Sequence, residues 1–205
     1  MKIALFGATG RVGQQILQLA IHNGHTITAL VRNRSKLDKH EQLTTIQGDA
    51  RDSQAVEQTI KGADVVVSAL STDKTTTLTD ALPHIIQTME HAAIRRIVTI
   101  GTAGILTSRT EPGKFRYETS ESKRRLTFAA DQHRQVYEML SASGLDWTIV
   151  CPTYLPDGAA RGNYRVEENL LPIGGKEITV GDTAHFAYDV VTQDKWIMCR
   201  VGIAY

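Results

Sequence analysis

Cysteine is scarce in this chain: only Cys151 and Cys199 occur among 205 residues. Two lone thiols so far apart make neither a disulfide framework nor a metal-ligand pair, and they read as small buried hydrophobes. Charge of one sign is also lacking. The formal net charge is +1, so no global field draws nucleic acid or an anionic membrane. No apolar run approaches the roughly 18 residues of a transmembrane helix. The N-terminus offers only Ile3 to Phe6 before Gly7, which suits a buried strand rather than a secretory signal. A cytoplasmic address is the expectation, and a structural disulfide is not expected in that reducing compartment. The five prolines mark no linker, and there is no repeat or low-complexity segment.

What is present is the ordinary balance of a globular domain, 41% hydrophobic and 22% charged residues. The length suits one sizeable core rather than two. Short apolar runs alternate with helix-period segments, the signature of βαβ units around a parallel sheet buried on both faces. Strands are expected at Lys2–Phe6, Thr26–Val31, Thr44–Gln47, Ala63–Ala69, Arg96–Ile100 and Trp147–Cys151. Helices are expected at about Val12–Asn23, from Asp52 to Ile60, at Thr79–Ala93 and, as one long element, at Thr119–Ser143. A short helix is expected at Ser35–Leu37. Right-handed crossovers then give a single-domain, α/β, doubly wound parallel sheet of Rossmann type, of order 3-2-1-4-5-6. In the last fifty residues, short strands at Asn163–Glu167 and Glu177–Val180 and a helix capped by Asp182 are expected. This part is expected to fold over the carboxyl ends of the strands and shape a substrate pocket.

The sharpest motif is Gly7-Ala8-Thr9-Gly10-Arg11-Val12-Gly13, directly after an apolar strand and opening a helix. Three glycines at this spacing allow a tight turn, close backbone approach to a pyrophosphate, and close helix–sheet packing. The helix N-terminus adds free N–H groups and partial positive charge. A nicotinamide dinucleotide is the ligand this pattern fits. An NAD-selective site usually carries a carboxylate at the end of strand two. Here that place holds Arg32-Asn33-Arg34-Ser35-Lys36, and no acid occurs before Asp38. Arginine can grip a 2′-phosphate bidentately, so NADP(H) is the expected cofactor. Arg32 is the first choice for the contact, with Lys36 or Arg34 second. After strand three, Asp49 either accepts from the adenine amino group, with Ala50 beside the ring, or forms a plain helix-entry turn.

These segments resemble the atypical short-chain dehydrogenase/reductases, specifically the NAD(P)H-binding branch that contains flavin reductase (biliverdin reductase B). The resemblance rests on the glycine loop, Leu30-Val31-Arg32-Asn33 and Gly48-Asp49. It continues in Asp131-Gln132-His133, in Ser143-Gly144-Leu145, in Cys151-Pro152, in Gly162-Asn163-Tyr164 and in the Asp182-to-Phe186 helix start. It implies hydride transfer from NADPH to a flavin, quinone or tetrapyrrole, with FMN or FAD as substrate rather than prosthetic group. It also implies that Cys151 and Pro152 lie beside the cofactor. Other relatives bind the dinucleotide without known chemistry and act as redox sensors with protein partners.

Candidates for chemistry lie just after strands four to six. Ala69, Leu70 and Ser71 would let the backbone lie close to the cofactor. Thr102 stands where the family has a serine near the nicotinamide; it either bonds substrate or carboxamide, or satisfies its own turn. His133, matching a family histidine, either contacts the cofactor or caps a surface helix. Tyr154 stands where the related reductase has a histidine. It either stacks on a planar substrate or packs at the pocket rim, and the departure weighs against tetrapyrrole reduction. The Tyr-x-x-x-Lys dyad of larger relatives is missing: Glu121 follows Tyr117 and Ser141 follows Tyr137 at that spacing. Alcohol oxidation of the usual kind is therefore disfavoured. Ile105–Arg125, with six cations, is either a lid over an anionic substrate or a solvated charge run. The seven histidines show no metal-ligand spacing.

Overall fold

Ile3 and Leu5 turn to one face of their strand and Ala4 and Phe6 to the other, and both sets are buried. This is why the run is apolar throughout instead of alternating. The computed structural model, which describes residues 1–122, 126–193 and 195–205, repeats that pattern across a sheet. Its parallel strands are β1 (Lys2–Phe6), β2 (Thr26–Val31), β3 (Leu43–Gln47), β4 (Val65–Ser68), β5 (Arg96–Ile100) and β6 (Asp146–Pro152). They lie in the order β3-β2-β1-β4-β5-β6. The order reverses between β1 and β4, which opens a crevice at the carboxyl ends of those strands.

Helices cover both faces. On one, α1 (Arg11–His22) packs against α5 (Val180–Thr192); on the other, α2 (Ser53–Ile60), α3 (Thr77–His91) and α4 (Phe128–Ala142) lie side by side. Asp52 caps α2 by accepting from the Gln54 amide at 2.9 Å.

The C-terminal region departs from the sequence reading. A strand absent from that reading, β8 (Cys199–Ala204), pairs parallel with β6. Beyond it β7 (Arg165–Glu168) forms an antiparallel edge. Arg200 interrupts the apolar pattern of β8, yet it is buried. Its guanidinium lies 4.3 Å from the Tyr137 ring centre and 5.4 Å from that of Phe115, and it donates to the Ile105 carbonyl. These rings and carbonyls replace water around the cation. Much of this region therefore widens the sheet rather than folding over its end. Glu177–Val180 is not a strand; Glu177 makes a single bridge to Tyr154. Thr179, not Asp182, caps α5, accepting from the Asp182 amide at 3.1 Å.

The long helix expected from Thr119 begins only at Phe128. Glu121 explains the delay. Its carboxylate accepts from the Ser108 hydroxyl at 2.5 Å and from the amides of Arg109 at 2.6 Å and Thr110 at 3.0 Å. These bonds fold residues 108–121 back as a tight loop, with one 3-10 turn at Arg116–Glu118, so that Thr119–Glu121 do not start the long helix. Burial alone would raise the Glu121 pKa, but the donors, with Arg116, overcome it and hold it at about 2.

Candidate functional site

The glycine loop places three backbone segments in contact. Gly7 has φ +82°, and a Cβ there would stand 2.4 Å from the Ala69 carbonyl oxygen. A Cβ on Gly13 would stand 2.1 Å from the carbonyl oxygen of Gly7. The Gly10 amide donates to Gly7 O at 2.9 Å, and its carbonyl receives the Gln14 amide at 2.9 Å. The first amides of α1 are thus left free at the loop, and no acidic residue occupies the first turn. A pyrophosphate fits this cradle: it is bare backbone with positive polarity, and side chains at positions 7 and 13 would collapse it.

A cleft of about 540 Å³ runs over the loop along the carboxyl ends of β2, β1, β4 and β5. Of the residues singled out from sequence, it is lined by Gly7, Thr9, Gly10, Arg11, Val12, Arg32, Lys36, Asp49, Ala50, Ala69, Leu70, Ser71 and His133. At one end Arg32 and Lys36 supply cations. Asp49 faces them, but Arg51 already chelates it through Nε at 2.9 Å and Nη2 at 2.7 Å. These bonds hold the Asp49 pKa at about 2. The Asp49 carbonyl also accepts from the Asp52 amide at 3.0 Å, so it serves as a helix-entry turn as well as cleft wall.

The other end lies at the carboxyl end of β5. Ile100 and Gly101 close β5, and His133 approaches from α4. His133 is only partly exposed, and burial lowers its pKa to about 4. The imidazole is therefore neutral at pH 7, with one donor and one acceptor nitrogen. Arg11 ties the loop to the segment after β6, donating to the Leu155 carbonyl at 3.0 Å and to Asp157 at 2.9 Å. Leu155 joins the cleft wall there.

Other sequence candidates lie outside the lining. Gly13 is buried behind the loop, and Arg34 points to solvent. Cys151 and Pro152 are buried, and burial pushes the Cys151 thiol up to about 12. The Thr102 hydroxyl accepts from the Gly104 amide at 3.3 Å, satisfying its own turn. Tyr154 is 61% exposed. Within residues 105–122 the cations are already paired: Arg109 with Glu167, Lys114 with Glu111, and Arg116 with Glu121. Lys123, Arg124 and Arg125 lie outside the described residues. Conversely, Asp73, Thr77 and Leu155 line the cleft without having been singled out. Only the turn-forming Ser71-Thr72-Asp73 run hints at them in sequence. Both cysteines are free. Among the described residues no cluster could hold a metal, and no helix is long and apolar enough to cross a membrane.

Known proteins share this frame. YwnB of Bacillus subtilis, an uncharacterised protein, is 26% identical over 198 residues, covering 94% of this chain and 92% of its own length. A solved structure from Bacteroides thetaiotaomicron, described as a candidate epimerase, is 28% identical with a TM-score of 0.86, over 100% of this chain and 96% of that one. One from Streptococcus pneumoniae, described as a candidate NADH-flavin reductase, has a TM-score of 0.84 at 22% identity, over 100% and 99% of the two chains, and shows the shared fold. The sequence profile of a family described as NAD(P)H-binding matches residues 7–194. With the dinucleotide cradle falling inside that match, the chain belongs to the NAD(P)H-binding family.

Proposed function

We propose that the chain is an NADPH-dependent reductase that delivers hydride to a planar acceptor such as a flavin or a quinone. The observation carrying this reading is the polarity of one continuous cleft: Arg32 and Lys36 at one end, and Ile100, Gly101 and neutral His133 at the other. The cationic end suits a 2′-phosphate, and Ile100, Gly101 and the neutral imidazole suit flat, weakly charged rings. NADPH, when bound, supplies the hydride. Arg32 and the free amides of α1 hold the phosphates. His133 offers one N–H to a carbonyl or amide near β5. The acceptor takes the hydride and draws its proton from water, so no side chain with a pKa near 7 is required. The protein contributes orientation and exclusion of water. The acceptor class agrees with the absent Tyr-x-x-x-Lys dyad and with the S. pneumoniae structure's description as a candidate NADH-flavin reductase.

The test is NADPH oxidation followed at the nicotinamide absorbance with FMN, FAD and quinones, beside a binding titration. Turnover above blank with at least one acceptor is expected. Tight NADPH binding without turnover on any acceptor would sink the reductase. It would favour a second reading, an NADP(H) sensor acting on a protein partner. The engaged Thr102 hydroxyl and the outlying Tyr154 ring speak for that second reading.

A further inference from the structure

The cationic end of the cleft carries its own opposing charge. After β4 the chain runs through Ala69 and Leu70 beneath the glycine loop and then turns sharply at residues 71–76. Asp73 and Lys74 both adopt positive φ, 44° and 59°, a conformation costly for any residue but glycine, asparagine or aspartate. The turn is closed by the Thr75 amide donating to the Thr72 carbonyl at 2.6 Å. The Ser71 hydroxyl donates to Asp73 Oδ1 at 2.6 Å. The other carboxylate oxygen, Oδ2, faces Arg32 across the cleft, receiving Nη2 at 3.4 Å. Asp73 is exposed and joins neither hydrophobic core cluster. Among the described residues its one long-range partner is Arg32, the cation expected to meet the 2′-phosphate.

We infer that Asp73 is a cofactor-selecting residue, a carboxylate that occupies Arg32 when the ribose 2′-phosphate does not. The inference rests on the reading of Arg32 as the 2′-phosphate contact. A 2′-phosphate entering this corner competes with Asp73 for the Arg32 guanidinium and faces a like charge. A 2′-hydroxyl meets no such opposition and finds an acceptor in the same carboxylate, the role usually filled by an acid at the end of strand two. Strand two here ends in Arg32-Asn33-Arg34 without an acid, so the acid arrives from the β4–α3 loop instead. Asp73 thereby narrows the preference for NADPH over NADH that Arg32 creates.

Asp73→Asn tests this, since asparagine tolerates the positive φ and keeps the turn. Affinities of the intact protein are measured for NADPH and NADH, and for 2′,5′-ADP against 5′-AMP, which probe the adenosine end alone. The phosphate-bearing ligands are expected to tighten about fivefold and the others to weaken about twofold, so each preference rises about tenfold. The tightening should shrink as salt is raised. Arg32→Ala is run in parallel. If it weakens NADPH more than tenfold while Asp73→Asn leaves the preference unchanged, the phosphate assignment stands and the role of Asp73 is overturned. If Arg32→Ala leaves NADPH affinity unchanged, the phosphate assignment fails and takes the role of Asp73 with it.

Discussion

A Cβ on Gly13 would stand 2.1 Å from the carbonyl oxygen of Gly7, so α1 and the glycine turn touch backbone to backbone. The same construction at Gly10 meets nothing nearer than 3.3 Å. The three glycines therefore differ in kind. Gly13→Ala is expected to destabilise the fold by about 1–3 kcal/mol, because overpacked backbone must move, and to weaken dinucleotide binding at least tenfold. Gly10→Ala should cost clearly less stability. Thermal melts and NADPH titrations on both variants decide it, and equal losses would contradict the geometry.

His133 gives a pH prediction. Its folded pKa, about 4 through burial, lies below the usual 6.5. Between these values the unfolded chain binds more protons than the folded one, so stability rises with pH there. The contribution is complete above about pH 6.5 and is lost as pH falls toward 4. The imidazole signal in an NMR titration should therefore stay neutral from pH 8 to about 5.5. Reductase kcat/KM should show no step from this residue in that range. A titration centred near 6.5 would mean that the ring lies in water and not against the cleft wall.

Arg11 and Asp157 form an ion pair with exposed side chains, 56% and 80% accessible. Such pairs add little to stability, at most about 1 kcal/mol. Asp157→Asn should then leave the melting temperature nearly unchanged. Because Arg11 also holds the Leu155 carbonyl at the cleft wall, the expected effect is a rise of about two- to threefold in acceptor KM. Kinetics with one acceptor at saturating NADPH provide the check. A large drop in melting temperature with unaltered KM would assign the pair to folding alone.

The local elements and the order of the six parallel strands are legible in the sequence; side-chain contacts between distant segments are not. β1, the glycine loop and α1 form one continuous stretch in which strand pattern, turn residues and helix period agree, so their place at the crevice follows from sequence. β8 is not legible in the sequence because Arg200 and Gly202 break its apolar run. Each has a tertiary cause: aromatic rings enclose Arg200, and the Leu170 carbonyl passes 2.0 Å from where a Gly202 Cβ would lie. Thr119–Glu121, the expected start of the long helix, is held in the loop by Glu121, whose donors come from residues 108–110 and from Arg116. In the candidate site, the strand-end residues of β1 and β4 line the cleft where their spacing suggested. Asp73 enters from a loop whose turn only the three-dimensional chain path reveals, and Thr102 turns its hydroxyl to its own backbone.

Glu121 supplies a last test, of whether residues 108–121 are a fixed loop or a moving lid. Its carboxylate gathers donors from Ser108, Arg109, Thr110 and Arg116, and its folded pKa of about 2 lies below the usual 4.5. A depressed carboxylate contributes stability that is fully present above about pH 4.5 and is lost as pH falls toward 2. Glu121→Gln places an amide among donors and should cost about 2 kcal/mol at pH 7. It should also flatten the acid limb of the stability curve. Limited proteolysis should then cut within residues 108–118 faster in the variant than in the parent. Rapid cleavage of the parent at that segment, equal to the variant's, would mean that the loop opens freely and that Glu121 does not hold it.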